Sequence, residues 1–191
     1  MATLTLANIT TRLNHAFKDR LQNTALYQLL YNYIYTDIAA LEARALLLEP
    51  AVINCTASTL EVTAALHAQR TVTLNRAGGI AVTLPAATGS GNRYKFIVGT
   101  TFTSSGTIKV VGDDIMVGHA ILAQDSADTV VQFGTAADSD TITFYTAASN
   151  TTGGIKGAVV DLIDMAADTW HVVYISEAGG TEATPFSATV S

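Results

Sequence analysis

The chain has 191 residues, of which 49% are apolar and only 14% charged, with a formal net charge of -6. Charge is well below the roughly 25% of an ordinary soluble domain, so a monomer would have a weakly solvated surface and burial against other subunits is expected. The acidic balance, with no clustering of Lys or Arg, argues against a nucleic-acid partner, and a single cysteine, Cys55, excludes an internal disulfide and a cysteine-based zinc site.

The first fifty residues read as helix. From Leu6 to Leu48 there is no glycine and no proline, and Pro50 then ends the pattern. Tyr27, Tyr31, Ile34, Ile38, Leu41, Ala45 and Leu48 step alternately by four and three, which is a heptad seam of about three repeats. Upstream, Leu13, Phe17 and Leu21 step by four, and Gln22-Asn23-Thr24 is a candidate hinge or second N-cap, so one long helix and a helix pair are both open. Unbroken, the helix would span about 60 Å, more than the rest of this chain offers to cover. Its apolar face is expected to meet copies of itself or a larger assembly, with Tyr27, Tyr31, Ile34, Ile38, Leu41 and Leu48 as the oligomerisation or docking seam. No signal peptide is evident. Leu21 to Thr36 lacks charge until its end but is too short and too polar to span a bilayer. Charge balances in this segment, four cations against four carboxylates, so the whole acidic excess lies after residue 50.

Residues 51–70 are expected to connect this region to a β domain over 71–178. There the apolar residues alternate: Val72 and Leu74; Ile80, Val82 and Leu84; Tyr94, Phe96 and Val98; Ile108 and Val110; Ile142 and Phe144; Trp170, Val172 and Tyr174. Period two means strands with one buried face. Turn residues separate them at short intervals, at Gly78-Gly79, Gly89-Ser90-Gly91-Asn92, Ser105-Gly106, Gly112-Asp113-Asp114, Gly153-Gly154 and Ala167-Asp168. No helical pattern lies between strands, so the expected fold is mainly β, an antiparallel sandwich or barrel-like domain behind an N-terminal helical region. Residues 179–191 are small and polar apart from Phe186 and are expected to form an extended C-terminal arm.

Chemistry-bearing patterns are sparse. Gly89-Ser90-Gly91-Asn92-Arg93 has the composition of a phosphate cradle, which requires a helix N-terminus just after it. Tyr94, Phe96 and Val98 continue with period two instead, so the stretch is expected to be an exposed hairpin loop between two strands. His15, His67, His119 and His171 are scattered, without metal-ligand spacing. Asp113-Asp114 and Asp138-x-Asp140 lack the further ligands and closing Glu of a calcium loop. No G-x-S-x-G motif is present, and nothing singles out a Cys–His pair or a carboxylate pair. No catalytic residue, metal or cofactor is expected, and Cys55 is expected to be a small buried hydrophobe.

The run "TVTLNRAGGIAVTLPAATGSGNRYKFIVGTTFTSSGTIKVVG", followed by "ADSDTITF", "TTGGIKGAVVDLIDMAADTWHVV" and "GTEATPFSATV", resembles β domains of tailed-bacteriophage virion proteins, among them capsid decoration and head-fibre proteins. The resemblance covers about residues 71–191 and not the helical region. It implies a trimeric protein on the phage surface with no cofactor, partnered by itself and by the major capsid protein or other virion proteins, with no nucleic acid and no membrane. The leading expectation is therefore a homotrimeric capsid decoration protein, of the cement or head-fibre type, in the virion. A tail-fibre or adaptor segment and a host-glycan-binding module are the alternatives, with a depolymerase more distant.

Overall fold

A computed structural model describes residues 11, 32–41, 52–124, 129–145 and 150–190. The chain divides into two units, Met1–Glu49 and Pro50–Ser191. In the first, residues 32–41 are helical (α1), which agrees with the glycine- and proline-free run; the rest of the expected helical region lies outside the described residues, apart from Thr11.

The second unit is mainly β, in two sheets. Its strands are β1 (Ile53–Cys55), β2 (Thr59–Glu61), β3 (Arg70–Leu74), β4 (Ala81–Thr83), β5 (Arg93–Val98), β6 (Thr107–Lys109), β7 (Ile115–Gln124), β8 (Val130–Gly134), β9 (Thr141–Thr143), β10 (Val159–Ala166), β11 (Thr169–Ala178) and β12 (Phe186–Ser187), with one short helix, α2 (Ala64–His67), after β2. One sheet has seven strands in the order β1-β3-β5-β10-β11-β7-β8, the other five in the order β12-β9-β6-β4-β2.

The first six strands alternate between the sheets. β1, β3 and β5 lie parallel in one, and β2, β4 and β6 lie parallel in the other. Each pair of successive strands is thus one rung of a wound stack. Register places like positions over one another: Ile53, Val72 and Phe96 form one ladder and Cys55, Leu74 and Val98 a second. Leu60, Val82 and Ile108 form a third on the other sheet. The sequence repeats accordingly, each rung carrying two apolar-x-apolar triplets: Ile53/Cys55 with Leu60/Val62, Val72/Leu74 with Val82/Leu84, and Phe96/Val98 with Ile108/Val110. Cys55 is buried in its ladder as a free thiol.

The remaining strands pair differently. β7 and β8 are antiparallel, as are β10 and β11, while β7 joins β11 in a ten-residue parallel ladder from Thr169↔Ile115 to Ala178↔Gln124. β9 lies antiparallel to both β6 and β12.

Inward residues of both sheets form a single hydrophobic core. At one part of it Phe102, Phe144 and Tyr174 stack edge to face with centroids 5.5 Å apart, and Tyr94 meets Trp170 in the same way. Such pairs add about 1 kcal/mol each beyond their area burial. The Tyr174 hydroxyl donates to the Thr152 carbonyl at 3.1 Å and accepts from the Gly154 N–H at 2.9 Å. Burial pushes its pKa up to about 12, against the opposing effect of Ser176 and Gly154, so it stays neutral.

Three expectations are corrected. The sheets are mixed rather than antiparallel, because period-two patterning specifies which face is buried and not the direction of the neighbour. Residues 52–70 are not a mere connector: they supply β1, β2 and α2, and their short apolar triplets complete the first rung. Gly89–Arg93 is not a hairpin loop, since β4 and β5 lie in different sheets. The C-terminal arm is extended and docked, with Phe186 pairing opposite Ile142.

Candidate functional site

The glycine-rich stretch does enclose an anion, one supplied by the chain itself. Asp164, on β10, points its carboxylate inward and is 3% exposed. The backbone N–H groups of Thr88 and Gly89 donate to Oδ1 at 2.9 and 2.6 Å. The Thr88 hydroxyl, the Ser90 N–H and the Ser90 hydroxyl donate to Oδ2 at 2.9, 3.1 and 2.6 Å. Backbone pairing closes the site, from Gly91 N–H to the Asp164 carbonyl and from Asp164 N–H to the Asn92 carbonyl. Gly89 and Gly91 have φ of 74° and 71°, the left-handed values that curl successive N–H groups into an anion-binding concavity. Burial opposes ionisation of Asp164, but the donors of Ser90, Gly89 and Thr88 outweigh it and hold the carboxyl at a pKa of about 2. The cradle is filled by an internal carboxylate and ties the β4–β5 connection to β10.

Two further buried carboxylates act alike. Asp114 accepts from the Ala87 N–H at 2.7 Å. Asp140 accepts from the Thr141 hydroxyl at 2.7 Å, and holds the C-terminal arm through the N–H groups of Thr189 at 2.8 Å and Val190 at 2.8 Å. The two acidic pairs that superficially suggested calcium thus each contribute one carboxylate to the internal framework. Among the described residues no group of His, Cys, Asp or Glu is arranged to hold a metal ion.

His67 is buried at the end of α2, where its Nδ1 lies 3.0 Å from the N–H of Thr63. His119 and His171 lie on the outer face of the seven-stranded sheet, and His15 is outside the described residues. No helix among the described residues is long and apolar enough to cross a membrane.

That outer face is the feature of the surface that departs most from expectation. In the β7–β11 ladder, Met116, Ala120 and Leu122 on β7 and Trp170, Val172 and Tyr174 on β11 are buried. The alternate residues, which point away from the core, are Ile115, Val117, His119 and Ile121 opposite Thr169, His171, Val173 and Ile175. Ile175 is 51% exposed and Val117 43%. On the flanking strands, Val159 of β10 and the exposed Val130 of β8 extend the same surface, which Asp161 interrupts between Val159 and Ile163. A sheet with one solvated face ordinarily alternates apolar and polar residues, whereas the outer residues of β7 and β11 here are mostly apolar, with His119, Thr169 and His171 among them. Periodicity does not single out this surface, because the inward triplets dominate it; the signal available is the apolar residues at the alternate positions, Ile115, Val117 and Ile121 and Val173 and Ile175.

Of the seam residues, Ile34, Ile38 and Leu41 fall on α1. Ile34, Ile38 and Ala39 are partly buried among exposed residues, and Leu41 is exposed. Tyr27, Tyr31 and Leu48 lie outside the described residues. Comparison of the chain with protein-family models, with curated proteins and with solved structures finds no match in any of the three.

Proposed function

We propose that this protein is a structural component of a tailed-phage virion, a homotrimeric capsid decoration protein of the cement or head-fibre type. The observation that carries the assembly part of this reading is the largely apolar outer face of β11 and β7, in a chain with only 14% charged residues. A contiguous apolar patch is costly to leave in water, and its burial contributes about 25 cal/mol per Å². We infer that the two sheets close as a sandwich with a dry interior, and that the second apolar surface is covered by neighbouring copies. The half-buried Ile34 and Ile38 on α1 give the helical unit a second apolar stripe of the kind that favours more than two strands when isoleucine fills both seam positions. The virion setting rests on the resemblance of residues 71–191 to phage β domains.

The buried polar groups fit a structural framework better than a reaction centre. Asp114, Asp140 and Asp164 each accept backbone N–H donors from distant parts of the chain, which ties loops and the C-terminal arm to the sheets. In this reading, stabilisation of the shell is mechanical: the domain buries apolar area between capsid subunits and resists their separation.

Cryo-electron microscopy of the parent particle tests this directly. The expected result is density for the two-sheet domain repeated with three-fold symmetry over the shell lattice. Density confined to the tail would replace it with the tail-fibre or adaptor reading. Its absence from purified particles would remove a virion role.

A further inference from the structure

The outer face of the seven-stranded sheet is not apolar throughout. Over β3, β5 and β10 it forms an open cleft of about 430 Å³ lined by residues that include Gln69, Arg70, Arg93, Lys95, Asp161 and Ile163. That volume is in the range of small-ligand sites. The unit after residue 50 has six Lys and Arg against twelve Asp and Glu. Three of those six cations line this one cleft, with Asp161 as its only carboxylate. Register places Thr71 of β3, Lys95 of β5 and Asp161 of β10 side by side on the outer face, with Arg93 beside Ile163, whereas Arg70 stands opposite Tyr94 in the row of the buried Val72 and Leu74.

The ion pair between Lys95 and Asp161 is weak. Lys95 Nζ lies 3.7 Å from Asp161 Oδ1 with both side chains about half exposed, and exposed pairs of this kind are worth at most about 1 kcal/mol. Lys95 can turn from Asp161 to a better partner at little cost. Arg93 is exposed, and its guanidinium offers a planar fork suited to two oxygens of one carboxylate or phosphate. At the rim, Gln69 has φ of 61°, a conformation that costs a non-glycine residue energy and recurs at binding sites. It is held by its own N–H, which donates to the Arg93 carbonyl at 2.7 Å. The strained residue and the cationic strand are thus fastened together. Ile163 adds an apolar wall against which a carbon skeleton can rest.

We propose that this cleft is a binding site for an oxyanion, a carboxylate or phosphate carried on a small organic or saccharide framework. Arg93 and Lys95 supply the charge, Gln69 supplies a polar rim, and Ile163 the apolar contact. The charged wall of the cleft, Arg93 and Lys95 on β5, is separated from β11 and β7 by β10.

Amide-resolved NMR titration of the full chain at low ionic strength tests the site, with inorganic phosphate and galacturonate oligomers as separate probes and sodium chloride as the control. Saturable shifts are expected at residues 69–71, 93–95 and 161–163 with at least one probe. Binding of the oligomer but not of phosphate assigns a carboxylated polymer, and the converse assigns phosphate. The double variant Arg93→Gln/Lys95→Gln, both changes at exposed positions, should weaken binding by at least about tenfold, while Lys156→Gln, outside the cleft, should leave it unchanged. The proposal is overturned if neither probe gives saturable shifts, if the double variant binds like the parent, or if Lys156→Gln weakens binding as much.

Discussion

Between Ile53 and Val110 the chain changes sheet at every strand, whereas β7–β8 and β10–β11 each turn back within the seven-stranded sheet. Both arrangements bury period-two apolar residues in the same core. The connections differ. Ala166 pairs with Thr169 across a two-residue turn, with Asp168 at φ 57°, so β10 can only be followed by an antiparallel neighbour. The connections from Asn75 to Ile80, Leu84 to Asn92 and Gly99 to Gly106 are longer and cross to the other sheet, which returns the next strand parallel to the last but one. Alternation of residue type chooses the buried face; connection length chooses the partner.

The two regions meet at two kinds of junction, one a ladder and one a carboxylate. β10 pairs β5 directly, and Asp164 on β10 grips the loop between β4 and β5. The variants below separate what holds each region from what joins them.

The largest effect is expected within the second region, at Gly118. Its φ is 155°, and an added Cβ would lie 1.9 Å from the carbonyl oxygen of Val172 on the adjacent strand. The obstacle is the backbone of the paired strand, which cannot swing aside as a flexible side chain could. Gly118→Ala should cost about 4 kcal/mol or more and abolish a cooperative thermal transition by circular dichroism. A parent-like melt would show that β7 and β11 are not paired in this register.

Next is the junction itself. Asp164→Ala removes the acceptor of five donors, and should destabilise the chain by about 3 kcal/mol in urea unfolding at neutral pH. The acid profile is more specific. Because the folded pKa of Asp164 lies near 2, below its ordinary value of 3.8, its contribution is present above that ordinary value and is lost as pH falls from about 4 to about 2. The shift corresponds to roughly 2 kcal/mol. In Asp164→Asn that part of the pH dependence should vanish. An unchanged acid limb in the Asn variant would mean that the cradle does not hold a charged carboxylate.

Much of this was legible in the residues. The buried faces of β3, β4, β5, β6 and β11 follow from alternation at Val72, Val82, Phe96, Ile108 and Val172. Glycine at 89 and 91 correctly marked a sharply curled chain. The glycine-rich stretch was nonetheless read as a hairpin, because nothing local distinguishes a loop that returns within a sheet from one that crosses to another. Nor did it reveal that its N–H groups face Asp164, which is more than seventy residues away and looks like any other acidic residue in a strand. The three-rung repeat went unrecognised because its spacing varies, from Ile53 to Val72 and then to Phe96, so insertions in the connections hide it. The cleft is hidden for a similar reason: Arg93 and Lys95 share one face of β5, but Ile163 and Asp161 come beside them only through strand pairing.

A smaller effect is expected at the C-terminal arm. Truncation after Ser187 deletes the N–H donors of Thr189 and Val190 and leaves the buried Asp140 with fewer partners. The expected loss is about 2 kcal/mol, read as a lower urea midpoint with an unchanged slope. The smallest is Gly91→Ala. No atom lies within 4 Å of the added Cβ, so only the positive φ opposes it, at about 1 kcal/mol. A cost no larger at Asp164→Ala than at Gly91→Ala would mean that the carboxylate junction contributes nothing beyond the shape of its loop.

The central claim, that the apolar surface is an assembly surface, is tested most directly by sedimentation equilibrium of the full chain at micromolar concentration, alongside Ile175→Asp. Ile175 is half-exposed on the outer face, so aspartate there leaves the core intact but places an unpaired charge in any interface formed by that face. The account predicts a trimer for the parent and dissociation by at least about tenfold for the variant, with an unchanged circular dichroism spectrum. A parent that sediments as a monomer, or a variant that assembles as the parent does, would contradict it.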